Sequence, residues 1–410
     1  MFDFVIIGGG VHGTYVASQL LQQPSVEHDS VRIVDPNPML LDSFTRKARQ
    51  CGMQALRSTF VHHIATKPFS LRTYAEEHER ENEIIATEDH PERPSLDLFV
   101  DHARSVVDHH ELSSVHRRAR VLGITDENDL LRVETDEGPL LTRRCVLAIG
   151  NGGQLSWPKW ATPDDPSMWH VWQSGFDPDG LVDDQVIVVG GGITAAQVAC
   201  QLATRTSVTL VSRHPLRESL IEASPRWIGW GHIGTHLHTL PAGSKKRHER
   251  VCEARNDGTV PSYVMKRLVE LRDHGDLVVE QGEITDGVRD ERGQTIRFRD
   301  GSTRSGVQVV LATGVESPYT HPLVQRIGVE LELETGYCGM PVLDDDTLEW
   351  HRARSGRSGV FVTGLLAQGT VGPLARNIIG ARRAAERIIE TWLSSDRTGT
   401  ATPLTGNDTQ

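Results

Sequence analysis

The residues in this chain best placed to do chemistry are glycines. Gly8-x-Gly10-x-x-Gly13 follows directly on the apolar run Phe4-Val5-Ile6-Ile7. With this spacing the first glycine makes a tight turn and the second lets a phosphate approach the backbone. The third lets a helix pack closely on a strand. A helix starting there presents free N–H groups to an anion. A second apolar run, Val31-Arg32-Ile33-Val34, ends in Asp35, where a carboxylate can accept a hydrogen bond from a ribose hydroxyl. Together these residues describe a cradle for a dinucleotide. The pattern returns as Gly190-x-Gly192-x-x-Ala195, behind the run Gln185–Val189. There the next strand, Val208–Val211, ends in Ser212-Arg213 with no acid. An acid would repel a 2′-phosphate and an arginine can pair with it, so the second site favours NADP over NAD. The alternative is that Arg213 is a plain surface residue beyond a strand.

Other reactive groups are sparse. Cys51, Cys145, Cys200, Cys252 and Cys338 are scattered, with no CxxC and no metal spacing, which suits a reducing compartment. His232, His236 and His238 would give a zinc site only with a further ligand that the surrounding sequence does not supply; otherwise they are loop histidines, and no metal is expected. No catalytic triad and no pair of carboxylates is apparent.

Several elements must hold these turns. The first glycine turn needs a strand before it and a helix from Thr14 to about Gln22 after it. Ser95 can cap a helix from Leu96 to about Val107. Short β segments at Arg120–Ile124, Leu130–Glu134 and Leu140–Ala148 form a meander, which ends in Ala148-Ile149-Gly150. Residues 158–180, with Trp160, Trp169 and Trp172, read as a linker. A helix from Pro261-Ser262 to His274 and strands at Leu277–Glu280 and Thr295–Phe298 follow. Val307–Leu311 then leads into Ala312-Thr313-Gly314 and is expected to return the chain to the first sheet. Gly359–Gly364 is another buried strand. Gly372-Pro373 should open a helix from Leu374 to about Leu393, with proline in the first turn where no N–H is needed. Such a helix aims its positive end at an electron-rich ring or a phosphate. Residues 215–260 carry no pattern that can be read chemically, and 395–410 read as a disordered tail.

The chain is long enough, at 410 residues, for two domains. Its formal net charge of −12 disfavours sequence-independent binding to nucleic acid or anionic membrane. No apolar run approaches membrane-spanning length and no signal peptide opens the chain, which points to a cytoplasmic protein. The fold expected is α/β, with two Rossmann-like, doubly wound, three-layer dinucleotide-binding domains, the second inserted in the first.

Two fingerprints, a strand ending in Ala-x-Gly in each half, and a closing strand–glycine–helix resemble the two-dinucleotide flavoproteins. The resemblance implies FAD at the first site and NADPH at the second. It places Gly8, Gly10, Gly13, Asp35, Gly150, Gly364, Pro373 and Leu374 around FAD, and Gly190, Gly192, Ala195, Ser212 and Arg213 around NADP. It divides the chain into a FAD domain (1–157 and 306–394), a linker (158–180) and an NADP domain (181–305). Gly52-Met53-Gln54, Pro68-Phe69-Ser70-Leu71 with Tyr74, and Ser95–Ala103 resemble the flavin-dependent lysine and ornithine N-hydroxylases. Trp169-His170-Val171-Trp172 is similar to the signature of flavin-containing monooxygenases. The family's lysine after Met-Gln is not matched, and its Thr-Asn-Tyr is only loosely echoed by Asn256–Thr259 with Tyr263. The resemblance implies Gln54 beside the flavin, with Arg57 the nearest cation; these two are the catalytic candidates. It implies a monooxygenase in which NADPH reduces FAD, and dioxygen forms a C4a-hydroperoxide that oxidises a nucleophilic nitrogen or sulfur of a small molecule. The alternatives are a reductase for a disulfide, quinone or protein acceptor, and a non-catalytic flavin sensor. A homo-oligomer is left open.

Overall fold

The computed structural model describes residues 1–87, 90–181, 185–290, 293–306, 308–354 and 357–399. The opening run forms β1 (Phe2–Ile7), whose residues Phe4–Ile7 are buried on both faces, as a central parallel strand requires. Helix α1 (Val11–Leu20) leads to β2 (Val31–Asp35). Helix α2 (Leu96–His109) is capped by Ser95, whose Oγ accepts from Leu98 N at 3.0 Å. Then come β3 (His116–Arg118), β4 (Val121–Glu127), β5 (Leu130–Thr135) and β6 (Leu140–Leu147). The sheet runs in the order β3-β2-β1-β6-β5-β4. Its first four strands are parallel and β4–β6 form the antiparallel meander. The short strand Val360–Val362 joins β6 in parallel.

One face of this sheet packs Phe4 and Ile6 against Val16 of α1, Phe99 of α2 and Trp392 of the C-terminal helix. The Phe4 and Trp392 rings meet edge-on at 6.3 Å. The other face packs Val5 and Ile7 against Ile124, Val133, Tyr319 and Trp350. The layers are therefore helix, parallel sheet and folded-over meander.

The second half repeats this plan. Its strands are β7 (Met168–His170), β8 (Gln185–Val189), β9 (Ser207–Ser212) and, after helices α3 (Ile193–Leu202) and α4 (Ser262–His274), β10 (Leu277–Gln281). An antiparallel trio follows, β11 (Ile284–Asp290), β12 (Gly293–Phe298) and β13 (Thr303–Gly306), and then β14 (Gln308–Leu311). The order β10-β9-β8-β14-β7 is parallel throughout. Val186 and Val188 face α3 and α4, while Ile187 and Val211 face Ile296 and Phe298 of the trio, with Trp157 and Trp160 alongside.

Three expectations change. Gln308–Leu311 does not return to the first sheet: it pairs with β8, Val309 opposite Ile187 (Val307 lies outside the described residues). An apolar parallel strand has the same composition in either sheet, and only its long-range partner decides. Met168–His170, inside the stretch read as a linker, is the edge strand beyond it. The C-terminal helix spans Ile378–Gly399, so it starts after Leu374 and continues into residues read as a tail. Residues 400–410 lie outside the described residues. No helix among the described residues is long and apolar enough to cross a membrane.

The unread stretch 215–260 folds into short helical turns and the helix Lys245–Ala254. Its Trp227, Ile233, Leu237 and Val251 pack on Leu374 and Ile379. It thus covers the start of the C-terminal helix.

Candidate active site

Both glycine turns open on one cavity of about 1970 Å³ between the two parallel sheets. A pocket for one small molecule measures roughly 300–1,000 Å³, so this one has room for two cofactors and a substrate.

In the first turn each glycine has its own task. Gly8 has φ +111°, and a Cβ there would lie 2.4 Å from Ala148 O, so the turn rests on Ala148-Ile149-Gly150. A Cβ on Gly13 would lie 1.8 Å from Gly8 O, behind the cavity. A Cβ on Gly10 would meet nothing within 4 Å, because Gly10 faces the cavity. This open backbone at the N-cap of α1, whose first turn carries no acid, fits a pyrophosphate. Asp35 is 8% exposed and lines the same wall. Its Oδ2 accepts from Gly9 N at 2.7 Å and its Oδ1 from Asn37 N and Nδ2 at 2.8 and 2.7 Å. A carboxylate offers roughly four acceptor positions, so capacity remains for a ribose hydroxyl.

The second turn copies the first. Gly190 has φ +154°, and its Cβ would lie 2.6 Å from Ala312 O, as that of Gly8 does from Ala148 O. Ala195 stands behind the turn, as Gly13 does. Gly192 caps α3 and lines the cavity. Ser212 is buried, its Oγ donating to His214 O at 2.8 Å, and Arg213 is exposed on the cavity wall. His170, on the tryptophan-rich segment, bonds Gly314 O through Nε2 at 2.9 Å, while its Nδ1 accepts from Trp172 N at 3.2 Å. Burial lowers its pKa to about 4, so it is a neutral strut for the Ala312-Thr313-Gly314 turn.

The third wall belongs to the end of the chain. Gly364 lines the cavity with φ +71°, and the neighbouring Thr363 Oγ1 meets His12 Nδ1 at 2.9 Å. Burial lowers the His12 pKa to about 4. Pro373 and Leu374 are not on the wall; Arg376, Asn377 and Ile378 are. Gly372 has φ +88°, and bonds from Ala375 N to Gly372 O and from Asn377 N to Leu374 O make turns of the stretch where a helix was expected.

Of the two catalytic candidates, Gln54 is exposed and absent from the cavity wall, which Met53, Leu56 and Arg57 line instead. Its backbone oxygen holds Leu96 N at 2.9 Å. Arg57 bonds Ser219 O at 2.6 Å, Leu220 O at 2.9 Å, Ile221 O at 3.2 Å and Thr259 Oγ1 at 2.8 Å. It clamps the loop of the unread stretch rather than reaching freely into the cavity.

That clamped loop supplies residues the sequence did not reveal. Glu222 accepts from Arg255 Nη2 at 2.8 Å and from the Asn377 amide. Asp257 accepts from Arg255 Nε at 2.8 Å and from Arg376. All five line the cavity. Their partners are distant in sequence, so no spacing could have announced them. The three histidines of this stretch have other partners: His232 and His236 stack on each other at 3.9 Å, and His238 Nε2 meets Thr370 O at 2.9 Å. No cluster of metal-ligating side chains occurs among the described residues.

Residues 5–152 match a family model described as FAD-NAD(P)-binding. An uncharacterized CzcO-like oxidoreductase of Geobacillus kaustophilus is 24% identical over 236 residues. That match covers 55% of this chain and 62% of the relative, so it spans less than two thirds of the relative's length. The ornithine N-hydroxylase of Kutzneria sp. 744, solved with reduced FAD, NADP⁺ and L-ornithine, superposes with a TM-score of 0.77 at 15% identity, over 97% of this chain and 100% of that one. The ornithine hydroxylase of Pseudomonas aeruginosa gives 0.75 at 17%, over 96% and 99%. The bacillithiol disulfide reductase of Staphylococcus aureus gives 0.65 at 16%, over 96% and 98%. The chain therefore has the fold of the two-dinucleotide flavoproteins, along nearly its whole length.

Proposed function

We propose that this protein is an FAD-dependent, NADPH-using oxidoreductase, and that it is a monooxygenase acting on a nucleophilic nitrogen or sulfur of a small molecule. The observation that carries the proposal is the single cavity shared by both glycine turns and by the start of the C-terminal helix. Dinucleotides held at the two turns would lie within reach of each other, with room left for a third molecule. On this reading the discontinuous first half holds FAD and the inserted half holds NADPH. FAD, when bound, would supply the redox chemistry, which the side chains lining the cavity lack.

The chain's part is to bind, orient and exclude water. Backbone N–H groups after Gly10 hold one pyrophosphate and those after Gly192 the other. Asp35 accepts a ribose hydroxyl of FAD, and Arg213 pairs with the 2′-phosphate of NADPH. Arg57 positions the loop at 219–221, and Glu222 and Asp257 tie that loop to Arg376 and Asn377, closing the cavity. The N-terminus of the C-terminal helix directs its positive end toward the cavity. The substrate belongs between this loop and the flavin, where exclusion of water favours oxygen transfer over peroxide release.

Cysteine chemistry weighs against a disulfide reductase. Cys51, which packs against α3 of the second half, is 2% exposed, and burial raises its thiol to about 11. Its Sγ faces Ala48 O at 3.3 Å and Gln197 Oε1 at 3.7 Å, with no sulfur partner. A thiol so placed is neither thiolate nor accessible. The test is to supply NADPH, dioxygen and candidate amines or thioethers to FAD-loaded protein. Oxygenated product at the expense of hydrogen peroxide is expected. Turnover of disulfides or quinones without oxygen incorporation would overturn the monooxygenase reading.

A further inference from the structure

Trp160 lines the cavity, and neither glycine turn accounts for it. It lies in the stretch that joins the two halves, ahead of β7, and is partly buried. Its indole rests on β11: a Cβ on Gly287 would lie 3.1 Å from Trp160 Cε3 and 3.5 Å from Cζ3, so the glycine leaves room for the ring. The ring packs on the cluster that holds Ile187, Val211 and Ile284. Val211 and Ile284 line the cavity with it.

The fold dictates where a second dinucleotide has its adenine. On a βαβ unit the pyrophosphate sits on the glycine turn and the adenosine ribose at the end of the next strand. Here that strand is β9, which ends in Ser212, with Arg213 next to it on the wall. Gly282 N donates to Ser212 O at 2.9 Å, which brings the turn between β10 and β11 alongside. The adenine of a bound NADPH therefore falls beside Arg213 and the wall at 282–284. A purine stacks on a flat aromatic face, and the inserted half puts no Phe, Tyr or Trp among the lining residues. The aromatic rings on the wall are Phe44, Trp157, Trp160 and Trp172. Phe44 meets Phe99 of the first core edge-on at 5.6 Å. Trp157 and Trp172 flank His170, at 5.9 and 6.2 Å, by the Ala312-Thr313-Gly314 turn. Of the four, Trp160 is the one that rests on the strand Ile284 opens.

We propose that Trp160 is the platform on which the adenine of NADPH stacks. The connector between the halves, and not the inserted half alone, then sets affinity for the nucleotide, while Arg213 selects the 2′-phosphate. This rests on the oxidoreductase reading above and assigns a further binding residue to its second site.

The test takes the cofactor in two pieces on the FAD-loaded protein: 2′,5′-ADP, which carries the adenine, and reduced nicotinamide mononucleotide, which does not. Trp160→Ala should weaken 2′,5′-ADP in calorimetric titration by ~5–150-fold, the worth of one base stacked on an aromatic ring. KM for NADPH in flavin reduction should rise with it, and KM for reduced nicotinamide mononucleotide should not follow. Trp160→Phe keeps a ring against Gly287; it should bind 2′,5′-ADP yet lose the quenching of tryptophan fluorescence that this ligand causes in the wild type. Equal binding of 2′,5′-ADP by Trp160→Ala and the wild type would overturn the proposal, as would a wild type that binds none. An equal loss for both pieces would also overturn it, marking Trp160 as structural. If Trp160→Ala does not fold, the fluorescence of Trp160→Phe decides, and quenching kept at the wild-type level refutes the stacking. Reduction of the wild-type flavin by NADPH separates the two levels: a flavin that stays oxidised sinks the oxidoreductase reading, while 2′,5′-ADP binding still reports on Trp160.

Discussion

Replacing Gly10 and Gly13 by alanine, one at a time, separates ligand contact from packing within a single turn. Gly10 has φ −76°, which alanine adopts freely, and a Cβ there meets nothing within 4 Å. The protein itself should tolerate Gly10→Ala. Exchanging glycine for alanine at an N-cap costs about 1 kcal/mol or less. That corresponds to a fall in melting temperature of ~2 °C in a chain of this size. The same methyl occupies the space through which phosphate oxygens reach the N–H groups of α1. Charge-assisted hydrogen bonds are worth ~1.5–3 kcal/mol each, so losing two weakens FAD binding by ~10²–10⁴-fold. Gly13→Ala should do the reverse. Its Cβ would lie 1.8 Å from the backbone oxygen of Gly8, which cannot move without pulling α1 off β1. A loss of stability above ~4 kcal/mol is expected there. The assays are thermal unfolding of the apoprotein and FAD titration by fluorescence quenching. Gly10→Ala that binds FAD like the wild type, or Gly13→Ala that melts like it, would refute the reasoning.

Arg213→Ala should raise KM for NADPH by ~10–100-fold, the worth of one charge-assisted pair, and change KM for NADH little; equal effects on both would sink the 2′-phosphate assignment. Cys51→Ser should leave turnover within about twofold, because the thiol is buried and protonated; loss of all activity would point to a cysteine-based reductase. Acid should destabilise the fold. Burial lowers the pKa of His12, His63 and His170 to about 4 and of His102 to about 3, below the unfolded value of 6.5. The unfolded chain then binds more protons between these limits, so stability rises with pH through this window and is lost as pH falls from 6.5 toward 4. Unfolding near pH 5 should take up about three protons or more, and a stability profile flat from pH 6.5 to 4.5 would contradict the buried, neutral state of these histidines.

What the sequence revealed and what it hid follow from how local each signal is. The glycine turns, Asp35, the Ser95 cap and the β4–β6 meander depend on neighbours within a few residues, so they were readable. The pairing Val309–Ile187 was not, because a buried parallel strand carries no mark of which sheet it will enter. The late start of the C-terminal helix was hidden by Gly372-Pro373, which opens a turn here, although the same pair can open a helix. Gln54 was placed by resemblance alone, and the structure turns it outward while Arg57, three residues on, reaches the loop at 219–221. Glu222 holds Arg255 and Asn377 across long loops, and no pattern within residues 215–260 could indicate that partnership.

The central claim is that two dinucleotides meet in one cavity, and anaerobic addition of NADPH to the FAD-loaded protein tests it most directly. The visible band of oxidised flavin should bleach with one equivalent of NADPH, and more slowly with NADH at the same concentration. A flavin that stays oxidised while the protein binds both cofactors would contradict the claim, because rings held in one cavity must be able to exchange a hydride.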